Sequence, residues 1–103
     1  MEPPTTVSFC HDLSKLKFLK HSLYTVLVDA LLRGVEDGMD ILTISMGGTG
    51  GWSSSSSALV ADRISQQGKI VTIAAGNDGA SGPWYTSSYA SAAGVIAIGS
   101  VDK

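Results

Sequence analysis

The residues able to do chemistry are few, and one of them ends an apolar run. Asn77 follows Ala74-Ala75-Gly76 in "GKIVTIAAGNDG", where a β-branched stretch stops abruptly. A side-chain amide held at a strand end can donate its N–H to an oxygen that gains negative charge in a transition state. Such donors work because they are aimed before the charge appears, where water is excluded. The plainer reading of Asn77-Asp78-Gly79 is a turn, since these residue types tolerate left-handed backbone. The tetrapeptide alone favours the turn.

Nucleophilic catalysis within the chain meets an obstacle. Serines are plentiful, but a serine needs a base within hydrogen-bond reach. The two histidines, His11 and His21, both fall in the N-terminal stretch, and no motif frames them. They read as solvated side chains. The serines at 53–57 read as a polar loop and helix cap, and Asp12, Asp29, Asp37, Asp40 and Asp62 as solvated faces or helix ends. Phosphate binding is a third chemistry, because a glycine-rich loop between strand and helix gathers backbone N–H groups. Gly48-Thr49-Gly50-Gly51-Trp52-Ser53 carries the first two glycines of GxGxxG and lacks the third. No acidic residue ends the following strand to hold a ribose, and no GxxxxGK[ST] is present.

The totals narrow the classes further. At 103 residues the chain is one domain at most. A formal charge of -2 argues against a nucleic-acid partner, which calls for a basic patch. Apolar runs are short, and none approaches the roughly 18 residues of a membrane span. No membrane partner is therefore expected. Cys10 is the single cysteine, so no intrachain disulfide can form. The start, "MEPPTTVSFCHDLSK", lacks a cationic segment followed by an apolar one, so no secretory signal is expected. No cofactor and no metal are expected either.

The elements that would position Asn77 are legible from periodicity. Residues 1–22 open with two prolines, gather lysines later and show no clean period; they read as an irregular arm with a helical end. Leu23, Val26, Leu27, Ala30, Leu31 and Val35 recur at three- and four-residue steps, one face of a helix. Gly38 is placed to stop it. Gly34 lies inside it, at a cost of about 1 kcal/mol against alanine that a close helix–sheet approach would offset. "DILTISM", residues 40–46, reads as a buried strand broken by the glycines that follow. A serine among 53–55 caps the next helix. Ala58, Leu59, Val60, Ala61 and Ile64 supply its contacts, and Gly68 stops it. "KIVTIAA" and "VIAIGSV" are further strands, separated by a small-residue connection that holds Trp84, Tyr85 and Tyr89.

Continuous apolar strands suggest burial on both sheet faces, and strand–helix–strand order favours parallel pairing. The fold class is therefore α/β with a parallel sheet. Ligands of such sheets bind beyond the carboxyl ends of the strands. Both glycine-rich tips, 47–51 and 76–79, should meet at that edge.

Taken together, "GVEDGMDILTISMGG", "GKIVTIAAGNDG" and "GVIAIGSVD" resemble the middle of a subtilisin-like serine protease. Order and spacing agree over about residues 28–103, and "SMGG" and "AAGNDG" are close to the family's "SLGG" and "AAGNEG". The resemblance implies part of a doubly wound parallel sheet, left incomplete, as the central piece of a peptidase catalytic domain. It implies that Asn77 is the oxyanion-hole asparagine. It also implies that Ser45, Met46, Gly47 and Gly48 pair with an extended peptide and wall the primary specificity pocket, with Ala74, Ala75 and Gly76 opposite. Met46 would lie towards a neighbouring apolar substrate pocket. The family is usually secreted.

The departures carry equal weight. The family's aspartate motif, its HGT histidine motif and its GTS[MA]A nucleophile motif are absent from these 103 residues, and His11-Asp12 matches none of them. In this family the order is Asp, His, then Ser, and this stretch matches the part between His and Ser. The chain therefore reads as a fragment with both ends missing, its first 22 residues unlike the family. The proline usual before the last strand is absent, with Tyr89-Ala90 nearby instead. The expected function is the substrate cleft and oxyanion hole of a serine endopeptidase, inactive as written. The alternatives are a non-catalytic peptide-binding fragment and, last, a phosphate-binding module.

Overall fold

The computed structural model describes residues 3, 6–9, 20–46 and 48–101. Four strands and two helices follow one another: β1 (Thr6–Phe9), α1 (Lys20–Glu36), β2 (Ile41–Ile44), α2 (Ser56–Gln66), β3 (Ile70–Ala74) and β4 (Ile96–Ile98). They make one parallel sheet in chain order, β1-β2-β3-β4. The α/β class and the parallel pairing are those expected. Strand order never reverses among the described residues, so the winding runs in one direction, as in one half of a doubly wound sheet.

The arm differs from its reading as irregular. Thr6–Phe9 pair in parallel with Ile41–Ile44, residue for residue, and add an edge strand. "TVSF" is a four-residue strand with β-branched members, too short to show a period beside its prolines. His11, Asp12 and Cys10 lie outside the described residues; His21 falls in α1.

The core forms where helix stripes meet alternate strand residues. Leu27 and Leu31 of α1, Ala58, Ala61 and Ile64 of α2, Leu42 and Ile44 of β2, and Val71 and Ile73 of β3 are all buried in one cluster. The stripe of α1 is narrower than expected, for Val26 is exposed and Val35 only half-buried. In α2, Leu59 is exposed. Gly34 makes the close approach anticipated for it: a methyl there would lie 2.7 Å from Leu42 Cδ2. Helix α1 ends in a Schellman motif, with Gly38 N–H bonding Val35 O at 3.0 Å and Met39 N–H bonding Gly34 O at 3.0 Å. Ser55 caps α2 by accepting from the Ala58 N–H at 3.3 Å.

Burial on both sheet faces is not found. Ile41, Thr43, Ile70, Thr72, Ala74, Ile96 and Ile98 point away from the helix-covered face, and Ile70, Ile96 and Ile98 are each about half exposed. A continuous apolar run states that both faces want cover, but not that the same chain supplies it. Here no described residue covers the second face.

Candidate functional site

The two glycine-rich tips meet at the carboxyl edge of the sheet, as strand register requires. Ile44 pairs with Ile73, so the chain leaves β2 and β3 side by side. Between the exits lies a cleft of about 250 Å³. Ser45, Met46 and Gly48 line it from the β2 exit, and Ala74, Gly76 and Asn77 from the β3 exit.

A third segment closes the far side. Residues 84–88 run antiparallel to 48–51 as a short ribbon. Gly51 N–H bonds Trp84 O at 3.1 Å, Gly50 N–H bonds Thr86 O at 3.0 Å, and Ser88 N–H bonds Gly48 O at 3.0 Å. Thr49 and Ser87 form a bridge between them. Ser87 also donates its N–H to Ala75 O at 2.9 Å, which ties the ribbon to the exit of β3. Trp52 and Trp84 stack at its outer end, ring centroids 5.8 Å apart and 14° from parallel.

Local sequence explains how this fits together. Gly76 has φ 108°, a left-handed value that side chains avoid, and a methyl there would come 3.3 Å from Ser87 N. Gly51 faces Trp84 so closely that a methyl would stand 2.7 Å from its carbonyl oxygen. Small residues at 86–88 let Ser87 and Ser88 enter between the strand exits, while Tyr89 anchors the loop in the core, fully buried.

Most residues singled out in the sequence come together here. Ser45, Met46, Gly48, Ala74, Gly76 and Asn77 share one cleft. Met46 lines this same cleft while packing in part on the core. Ala75 lines a second depression of about 330 Å³ with Gly99 and Ser100, and the cleft itself does not include it. Gly47 lies outside the described residues. The cleft adds four residues that sequence reasoning gave no role at the site: Thr49, Asp78, Tyr85 and Ser87. Thr49 and Asp78 are chain neighbours of the tips. Tyr85 and Ser87 arrive through the ribbon, a long-range pairing without a sequence period.

Asn77 is exposed at the rim, and its amide makes no hydrogen bond among the described residues, so it is open to a ligand. Among the lining residues Asp78 alone carries a charge. Ser87 is buried, and its hydroxyl oxygen has no hydrogen-bond partner among the described residues. The described residues contain no cluster of three or more His, Cys, Asp or Glu that could hold a metal. No helix among them is long and apolar enough to cross a membrane. The arrangement can receive a bulky side chain beside an extended backbone and offer an amide donor at its rim.

Comparison with known proteins agrees with this geometry. The model of the subtilase family of peptidases matches residues 12–103. That match reaches into the arm, beyond the residues that carry the resemblance. Subtilisin DY of Bacillus licheniformis is 35% identical over 81 residues, which are 78% of this chain and 29% of that protein. The chain thus spans less than a third of the length of this curated relative. A family match over most of the chain and a relative at this identity are sufficient: the chain belongs to the subtilase family.

Proposed function

We propose that this chain forms the substrate cleft and oxyanion-stabilising donor of a serine endopeptidase. The observation that carries the reading is the convergence of Asn77 with Ser45, Gly48, Ala74 and Gly76 on one cleft at the sheet's carboxyl edge. An extended peptide would lie along the exits of β2 and β3, where missing side chains let its backbone approach. One of its side chains would enter the cleft. The carbonyl of the bond to be cut would then sit at the rim, within reach of the Asn77 amide. As a nucleophile adds to that carbonyl, its oxygen becomes an anion, and a fixed N–H donor lowers the barrier. The nucleophile and its base would come from residues other than those described here.

The 103 residues hold no HGT and no GTS[MA]A motif. That observation favours a second reading for the chain by itself: it binds peptide and does not cut it. One experiment separates the two. The purified 103-residue chain is incubated with casein and a chromogenic peptide, and peptide binding is followed in parallel. Binding without cleavage is expected. Cleavage that a serine-directed phosphonate blocks would sink the second reading, and absence of any binding by a folded chain would sink both.

A further inference from the structure

Trp52 and Trp84, the chain's two tryptophans, hold their indoles together in solvent. They are 67% and 68% exposed, although they stack on each other. The rings lie 14° from parallel with centroids 5.8 Å apart, an offset stack. Each therefore covers part of one face of its neighbour and leaves the opposite face open. The backbone beneath them is fixed. Gly51 N–H bonds Trp84 O at 3.1 Å, Trp52 N–H bonds Gly50 O at 2.7 Å, and Ser55 N–H bonds Trp52 O at 3.2 Å. Neither indole lines the cleft, which borders the other end of the ribbon, where Ser88 N–H bonds Gly48 O.

Single exposed apolar side chains are ordinary, but two large rings held side by side form a patch of the kind that marks an interaction. Tryptophan serves such a surface well, because a rigid ring loses little entropy when it is covered. The surroundings narrow the partner. Segments 41–61 and 79–101, which carry the strand exits and the ribbon, contain no Asp, Glu, Lys, Arg or His. A polyanion would call for cationic contacts, and an anionic lipid surface for Lys or Arg beside the aromatic anchors. What stands beside Trp52 instead is a pair of exposed hydroxyls, Ser53 and Ser54. Flat aromatic faces with a neutral, hydroxylated rim fit a ligand that is itself uncharged, flat and apolar on its faces, and hydroxylated at its edge.

We propose that the Trp52–Trp84 pair is a docking platform for a neutral polysaccharide of pyranose units with equatorial hydroxyls, a β-linked glucan being the simplest. Such a ring turns axial C–H bonds towards both faces. Their slightly positive hydrogens meet the negative face of an indole. Its hydroxyls lie around the edge, where Ser53 and Ser54 can exchange hydrogen bonds with them. The two offset indoles can meet neighbouring units of one chain. A molecule anchored this way keeps its cleft one ribbon length from the polysaccharide. The inference does not depend on what the cleft itself binds.

The test reads tryptophan emission, which in this chain comes from these two rings alone. The 103-residue chain is titrated with cellohexaose, with sorbitol at equal hydroxyl concentration, and with phosphatidylcholine vesicles. Emission maximum and quenching by acrylamide are followed. Cellohexaose should shift the emission to the blue and shield the indoles saturably, whereas sorbitol and vesicles should do neither. By calorimetry, Trp52→Ala and Trp84→Ala should each weaken cellohexaose binding about threefold to tenfold, the span of one aromatic contact. Trp84→Phe, which keeps a ring, should lose less. Failure of cellohexaose to shield the indoles would overturn the proposal, and so would equal shielding by sorbitol. Shielding by vesicles in its place, or by raised protein concentration alone, would overturn it in favour of a lipid surface or a second copy. Binding that survives Trp52→Ala combined with Trp84→Ala would put the sugar elsewhere and overturn it too. The shielding measurement needs no variant, so it decides even where an alanine variant fails to fold.

Discussion

Ser88 holds the carbonyl oxygen of Gly48 twice, through its backbone N–H at 3.0 Å and its hydroxyl at 2.8 Å. Gly48 is a wall of the cleft and lies 40 residues away in the chain. This pair joins the β2 exit to the ribbon, and Ser87 joins the ribbon to the β3 exit. The cleft is therefore a product of three segments locked by backbone bonds.

Removing one of the two bonds should loosen that lock without opening it. Ser88→Ala keeps the backbone bond and loses the hydroxyl bond, at a cost of about 1 kcal/mol. Urea unfolding should show that loss, and peptide affinity should fall a fewfold. Unchanged stability would mean that the hydroxyl bond contributes nothing to the lock.

Gly51→Ala should do more harm, because the obstacle is backbone. A methyl at 51 meets Trp84 O at 2.7 Å, and that oxygen is itself bonded to Gly51 N–H. The ribbon must part, at roughly 1–3 kcal/mol, the usual cost of overpacking. The stacked indoles at its outer end should separate as well. The unaltered chain should show exciton-coupled circular dichroism from the stacked pair, and Gly51→Ala should lose that signal along with stability.

How much of this was legible in the sequence depends on which contacts are local. The α1 stop at Gly38, the Ser55 cap and the strands around 41–44 and 70–74 follow from short-range chemistry, and they stand as expected. The meeting of the two tips follows from parallel pairing alone. The resemblance picked out Asn77, but its amide's role is a matter for experiment. The role of residues 84–88 had no signal, because an antiparallel ribbon between distant loops has neither period nor motif. β1 was hidden for a related reason: an edge strand of four residues beside prolines shows no alternation. Exposure of Ile96 and Ile98 was hidden because composition reports a need for cover and not its source.

Gly34 turns a sequence inference into a measurable balance. Alanine there should gain about 1 kcal/mol of helix propensity. Its methyl would also press on Leu42 Cδ2 at 2.7 Å, and Leu42 is fully buried with little room to yield. Overpacking costs about 1–3 kcal/mol, so the net effect of Gly34→Ala should be destabilising. Gly34→Ala combined with Leu42→Val should recover part of the loss. If Gly34→Ala alone were stabilising, the helix would not be held against the sheet as closely as described.

The sheet face that no described residue covers should govern behaviour in solution. Ile70, Ile96 and Ile98 expose apolar surface on it, and β4 is an edge strand. Such surfaces promote association. The 103-residue chain should sediment as oligomers at tens of micromolar, and Ile96→Lys with Ile98→Lys should shift it towards monomer. A monomer that melts cooperatively without those changes would show that the face needs no cover.

Asn77 offers the most direct test of the proposed chemistry. The variant belongs in a complete catalytic domain, either the full protein or a related subtilase carrying this segment in place of its own. Asn77→Ala removes one donor from the rim and leaves Ser45, Gly48, Ala74 and Gly76 to hold the peptide. If the donor acts on the oxyanion, its bond forms mainly in the transition state, so kcat should fall while KM changes little. The drop should be about 10²–10³, the size known for loss of the asparagine donor in a subtilisin. Asn77→Asp should be at least as damaging, since a carboxylate donates nothing and repels the developing charge. The split between the two constants decides the matter. A rise in KM with kcat intact would make Asn77 a substrate contact or a turn residue, and the oxyanion role would then have to be abandoned.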